Sequence, residues 1–152
     1  MPLGREAKNA WIAFVVAYQF VRPKIGRALS DAGQVSLELY EALLALEEAP
    51  SGSLRMSELA EQTQMTRSGM TRLADRLESD GFIERHDCEK DRRGSYAVLT
   101  DKGRAAREAA WPVYRDAVEE HFGKLLTKQE SLAVASALRK VTDDTCRLIG
   151  WE

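Results

Sequence analysis

Apolar residues recur at intervals of three and four along most of the chain. Trp11, Phe14, Val15, Tyr18, Ile25 and Leu29, with Arg22 among them, fall on one side of a first helix. Pro23 lies inside that stripe; it deletes one backbone hydrogen bond and is expected to kink the helix at a cost of ~3 kcal/mol. Ser36 to Glu48 repeats the pattern with Leu37, Tyr40, Leu43, Leu44 and Leu46, then stops at Ala49-Pro50-Ser51-Gly52. Two shorter helices follow, the first from Ser57 to Gln62 with Leu59 and Ala60 inward. Thr66 is placed to cap the second, whose Met70, Leu73, Ala74 and Leu77 sit at i, i+3, i+4 and i+7 on one buried face. The opposite face carries Arg67, Ser68, Thr71, Arg72, Asp75 and Arg76, and Gly81 is the expected left-handed stop.

The period then drops to two. Phe82 to Arg85 and Tyr96 to Leu99 read as short strands, joined by the charged, glycine-containing connection from Asp87 to Ser95, a projecting hairpin. Thr100 or Asp101 caps a long helix through Ala105, Ala109, Val113, Ala117 and Phe122, with a kink expected at Pro112. Thr127 and Glu130 form a capping box for the last helix, whose inward residues are expected to be Leu132, Ala135, Leu138 and Val141.

This order of elements predicts a mostly α fold with a small β-hairpin wing: a winged helix-turn-helix flanked by N- and C-terminal helices. Residues 1–152 read as one chain unit. Within it, 35–104 form the winged-helix lobe, and 1–34 with 105–152 supply helices for dimerisation. Two amphipathic terminal helices have little left to cover within one protomer, so a homodimer is expected.

Composition narrows the function classes. The chain has 152 residues, one ordinary domain, and its apolar runs fall far short of the ~20 residues of a spanning helix. No secretory leader is readable at the N-terminus, and the two cysteines, Cys88 and Cys146, have no framework spacing, so a cytoplasmic location is expected. Twenty-two basic against 24 acidic residues leave a net charge of −2. The balance is near zero in each third: 5 and 6 over residues 1–54, 10 and 10 over 55–104, 7 and 8 over 105–152. A nonspecific DNA coat is therefore excluded; a DNA binder of this composition must sort its cations onto one face. No nucleophile, base and orienter group, phosphate loop or glycine fingerprint is present, so no enzyme and no cofactor is expected. His86 with Cys88 lacks further ligands for zinc, and Cys88 beside His86 and Lys90 is a candidate for oxidation or simply a hairpin residue.

The run from Leu54 to Glu61, the run Thr66-Arg67-Ser68-Gly69-Met70-Thr71-Arg72-Leu73-Ala74-Asp75-Arg76-Leu77-Glu78, and Gly81-Phe82-Ile83-Glu84-Arg85 resemble the core of MarR-family transcriptional regulators. Asp91-Arg92-Arg93, followed by Leu99-Thr100, is similar to that family's wing signature. The likeness covers roughly residues 35 to 140. It implies a two-fold dimer on a pseudo-palindromic operator, often released by a small aromatic or phenolic effector. It also implies that Asp91 pairs with Arg93 to hold the wing tip and that Arg93, with Arg92 as the alternative, enters the minor groove.

On this reading the helix opened by Thr66 lies in the major groove. Its first turns present Arg67, Ser68, Thr71 and Arg72 to base edges and phosphates, and an arginine gripping guanine O6 and N7 gives ~1 to 3 kcal/mol of discrimination. Thr66, Ser68 and Thr71 anchor phosphates at the helix N-terminus, and Arg76 meets the backbone one turn on. The expected function is a ligand-responsive repressor on a double-stranded operator, the alternative being an interaction module of the same fold that has lost DNA contact. Trp11, Tyr18, Tyr40 and Trp111, with Phe14 and Tyr114 nearby, either line an effector pocket or form plain core.

Overall fold

The computed structural model describes residues 3–88 and 91–141; of the side chains in that range, those of Arg67, Asp87, Cys88 and residues 91–94 are not described. Six helices and three strands follow in the order α1 (Arg5–Asp31), α2 (Leu37–Glu48), β1 (Ser53–Arg55), α3 (Met56–Gln62), α4 (Arg67–Ser79), β2 (Ile83–Cys88), β3 (Asp91–Leu99), α5 (Asp101–His121) and α6 (Lys128–Arg139). A short 3-10 turn, Gly123–Leu125, joins the last two helices.

Caps read from the sequence are formed. Ser36 caps α2 by accepting from the Leu39 N–H, Thr66 caps α4 by accepting from the Gly69 N–H at 3.1 Å, and Thr100 caps α5 by accepting from the Gly103 N–H at 3.0 Å. Thr127 and Glu130 close the reciprocal box at the start of α6. The hydrogen bond that the Thr127 backbone N–H donates to the Glu130 carboxylate is the main reason that carboxyl titrates below the usual range. Gly81 ends α4 at φ +74°. In the turn between α3 and α4, Gln64 takes φ +54° while its side-chain amide donates to the Glu61 carbonyl at 2.8 Å.

The three strands form an antiparallel sheet in the order β1-β3-β2, with Leu54 opposite Ala97 and Arg85 also opposite Ala97. β1 is an addition to the hairpin that three residues are too few to announce by alternation. The expected loop from Asp87 to Ser95 is mostly strand: β2 runs to Cys88 and β3 starts at Asp91. A register irregularity falls between Asp87 and Cys88.

Two cores share α2. Leu39, Leu43 and Leu46 pack with Leu54, Leu59, Met70, Leu73, Leu77 and Ile83 to form the lobe. Leu37 and Tyr40 pack with Ile25 and Leu29 of α1 and with Ala110, Tyr114 and Ala117 of α5. Leu39, Leu43 and Leu46 on one side of α2 and Leu37 and Tyr40 on another are buried in different cores, so α2 fixes the lobe to the long helices. Helical structure continues through Pro23 in α1 and through Pro112 in α5.

The last helix corrects another expectation. No α6 residue is buried: Leu132 is 62% exposed, Ala135 is exposed and Leu138 is half-buried, while Val141 just beyond the helix is 79% exposed. The same holds for the first half of α1, where the stripe covers Ile25 and Leu29 but leaves Trp11, Phe14 and Tyr18 exposed. The amphipathic pattern is correct in both helices. Among the described residues nothing covers Trp11, Phe14, Tyr18 or Leu132.

Candidate nucleic-acid interface

Every described residue expected to meet DNA from α4 lies on one side of it. Burial of Met70 (2% exposed), Leu73 (9%), Ala74 (0%) and Leu77 (0%) fixes the rotation of the helix. That rotation turns Thr66, Ser68, Thr71, Arg72, Asp75 and Arg76 to solvent. The Thr66 hydroxyl is 3.3 Å from Ser68 Oγ, so two hydroxyls and the first amides of the helix converge at its positive end. Among the described residues no partner pairs with Arg72, whereas Arg76 Nε is 4.0 Å from Asp80. Arg67 opens the helix; its side chain lies outside the described part, as do those of Asp91, Arg92 and Arg93, whose backbone begins β3 beside the wing tip.

The candidate effector residues separate into two groups. Tyr40 is fully buried and stacks on Tyr114 at 4.5 Å, with Trp111 a further 6.1 Å from Tyr114. Trp11 and Tyr18 lie on the exposed half of α1 at either side of Phe14, at 6.2 and 6.4 Å. Two surface hollows are present elsewhere. One, of about 490 Å³, lies between α1, the start of α2 and α4 and is lined by Arg22, Gly26, Ser36, Glu38 and Arg76. The other, of about 900 Å³, is bordered by Leu54, Glu58, Glu61, Met65 and Thr66. Neither is lined by Trp11, Tyr18, Tyr40 or Trp111. No group of metal-ligating side chains occurs among the described residues.

Ion pairs that the sequence alone does not reveal lock the lobe in place. Arg22 of α1 forks onto Glu41 of α2, one arm at 2.9 Å, and that hydrogen bond raises the arginine's pKa against the opposing effect of burial. Glu47 of α2 takes Arg104 at 3.0 Å and Arg107 at 2.5 Å, both from α5. Burial would lower the Arg107 pKa, and the Glu47 contact more than offsets it. Arg85 of β2 reaches Asp75 and Glu78 of α4. A signal for Arg85 was present: it shares a strand face with the buried Ile83, and a cation on that face requires carboxylates across from it.

Comparison with known proteins decides the family. The MarR family model matches residues 35–94. The repressor MdtR of Bacillus subtilis is 32% identical over 124 residues, 82% of this chain and 77% of that protein. The chain belongs to the MarR family. Among solved MarR-family structures, that of Sco3205 from Streptomyces coelicolor in complex with DNA has a TM-score of 0.80 at 30% identity, covering 93% of this chain and 89% of the other. The repressor MprA of Escherichia coli K12 is 33% identical over 92 residues, 60% of this chain, and the match spans only 52% of that relative's length. Mostly helical architecture with a small three-stranded antiparallel sheet is the fold these MarR structures share with the chain.

Proposed function

We propose that this MarR-family member is a transcriptional repressor that binds a pseudo-palindromic DNA operator as a cytoplasmic homodimer and is released by a small aromatic or phenolic effector. The observation that carries the DNA reading is the sorting of Thr66, Ser68, Thr71, Arg72 and Arg76 onto the single exposed face of α4, next to the β2–β3 wing. A chain with net charge −2 has no bulk attraction for a polyanion, so such a face must supply it locally. In a two-fold pair the two α4 helices would meet half-sites one helical turn apart, ~34 to 36 Å.

Dimerisation is supported by the exposed apolar residues of the terminal helices. Trp11, Ile12, Phe14, Val16, Tyr18 and Phe20, within one stretch of α1, are 43 to 67% exposed, and Leu132 on α6 is 62% exposed; clustered exposed apolar side chains such as those on α1 mark an interaction surface. The effector reading rests on the aromatic character of Trp11, Tyr18, Tyr40 and Trp111 along α1, α2 and α5. A partner's helices over Trp11 and Tyr18 would turn exposed rings into pocket walls. At the wing, the pairing of Asp91 with Arg93 and insertion of Arg93 or Arg92 into the minor groove belong to the same proposal.

Duplexes selected from a random pool by the full-length protein, then tested by gel shift, test the central part. A recurrent inverted repeat supports it; recovery of no common sequence contradicts it. Adding phenolic acids to the selected complex tests release. Light scattering after size exclusion reads the dimer directly.

A further inference from the structure

The exposed face of α4 is not purely cationic. Asp75 follows Ser68 and Thr71 at helical spacing, so it lies on the same side as the hydroxyls assigned to phosphate, and it is 62% exposed. Glu78, 47% exposed, is one turn from Asp75 and two from Thr71. Two carboxylates facing a polyanion oppose binding. One side chain answers both. Arg85, three residues into β2 and 26% exposed, contacts Asp75 through Nη2, while its Nε is 3.2 Å from Glu78 Oε2.

We propose that Arg85 is a positioning residue of the DNA interface whose function is to neutralise Asp75 and Glu78, making an acid-bearing reading helix acceptable to DNA. This rests on the DNA-binding reading above. Arg85 reaches α4 from the root of the wing, so its own charge is set back from the α4 face and acts through the carboxylates it holds. The arrangement explains how a chain without net positive charge presents an α4 surface on which Arg72 and Arg76 dominate. Ion pairs at this exposure contribute little to folding, so the fold is expected to survive their removal.

The experiment measures affinity of the full-length protein for its selected duplex by fluorescence anisotropy, with circular dichroism and thermal melting as fold controls. Arg85→Met leaves Asp75 and Glu78 unpaired and is expected to weaken binding at least ten-fold. Adding Asp75→Asn and Glu78→Gln to that variant is expected to restore affinity to within about three-fold of the parent. Those two substitutions in the parent release a cation and are expected to tighten binding. Arg85→Met binding like the parent, a folded triple variant that stays weak, or a parent weakened by Asp75→Asn with Glu78→Gln would each overturn the inference while leaving the DNA reading intact. A parent that selects no duplex at any salt concentration would sink both.

Discussion

A β-carbon at Gly103 would lie 2.2 Å from the carbonyl oxygen of Phe82 and 2.9 Å from Leu99 Cδ1. The first turn of α5 is therefore pressed onto the chain just past the end of α4. Around that contact the Thr100 hydroxyl donates to the Gly81 carbonyl at 2.7 Å, the Thr100 N–H donates to Phe82 O at 3.1 Å, and Lys102 Nζ donates to Asp80 O at 2.6 Å. Displacement of α5 is passed straight to the C-terminal end of α4. Gly103→Ala forces this joint apart and is expected to cost about 1 to 3 kcal/mol or more. Urea unfolding should show a lower midpoint at unchanged slope, while Lys102→Ala, which removes only an exposed contact, should stay close to the parent.

Glu47 accepts from two arginines of α5, and its side chain is 16% exposed. Glu47→Gln should lower stability by about 1 to 3 kcal/mol, because Arg107, itself 17% exposed, is left partly buried without its counter-charge. Arg104→Ala should cost less, since that arginine is 46% exposed and water replaces its partner. Equal losses for the two substitutions would contradict this ranking.

Tyr40 carries a buried hydroxyl with no hydrogen-bond partner among the described residues. Burial pushes its pKa up to about 12. The neighbouring Arg107 pulls the other way and only partly offsets burial. Because the folded value exceeds the ordinary ~10, the stabilisation due to the neutral phenol is complete below pH 10 and lost as pH rises from there towards 12. Tyr40→Phe should be neutral to slightly stabilising at pH 7, having removed an unpaired polar atom, and should unfold less steeply with pH above 10. A loss of more than about 1 kcal/mol at pH 7 would show that the hydroxyl is paired.

Thr66 holds the start of α4 and is assigned to phosphate. Thr66→Ala should destabilise by about 1 kcal/mol through the lost cap and weaken operator binding as well, and Thr66→Ser should largely restore both. Stability recovered by serine without recovery of binding would separate the cap from the phosphate contact.

Much of this was legible in the sequence, for identifiable reasons. The face of α4 could be read because Met70, Leu73, Ala74 and Leu77 repeat at helical spacing and because Thr66 and Gly81 mark its ends. The caps at Ser36, Thr100 and Thr127 act within one turn of chain, so local pattern suffices to find them. β1 was not legible, since three residues acquire strand geometry only by pairing with β3. The exposure of Trp11, Phe14, Tyr18 and Leu132 was not legible either: periodicity tells which side of a helix is apolar, not what covers it. Glu47 and Glu41 escaped notice because their partners are brought in by tertiary packing, while the strand face Arg85 shares with buried Ile83 calls for carboxylates without naming Asp75 and Glu78 as the ones that face it.

Salt dependence tests the central claim most directly. Affinity of the full-length protein for its selected duplex is measured from 50 to 200 mM salt, alongside Arg72→Ala. Neutralisation of phosphates by a sorted arginine face predicts a steep linear fall of log affinity with log salt, and a slope shallower by about one for the variant at unchanged helical content. Binding that ignores salt, or an Arg72→Ala line that coincides with the parent, would contradict the account.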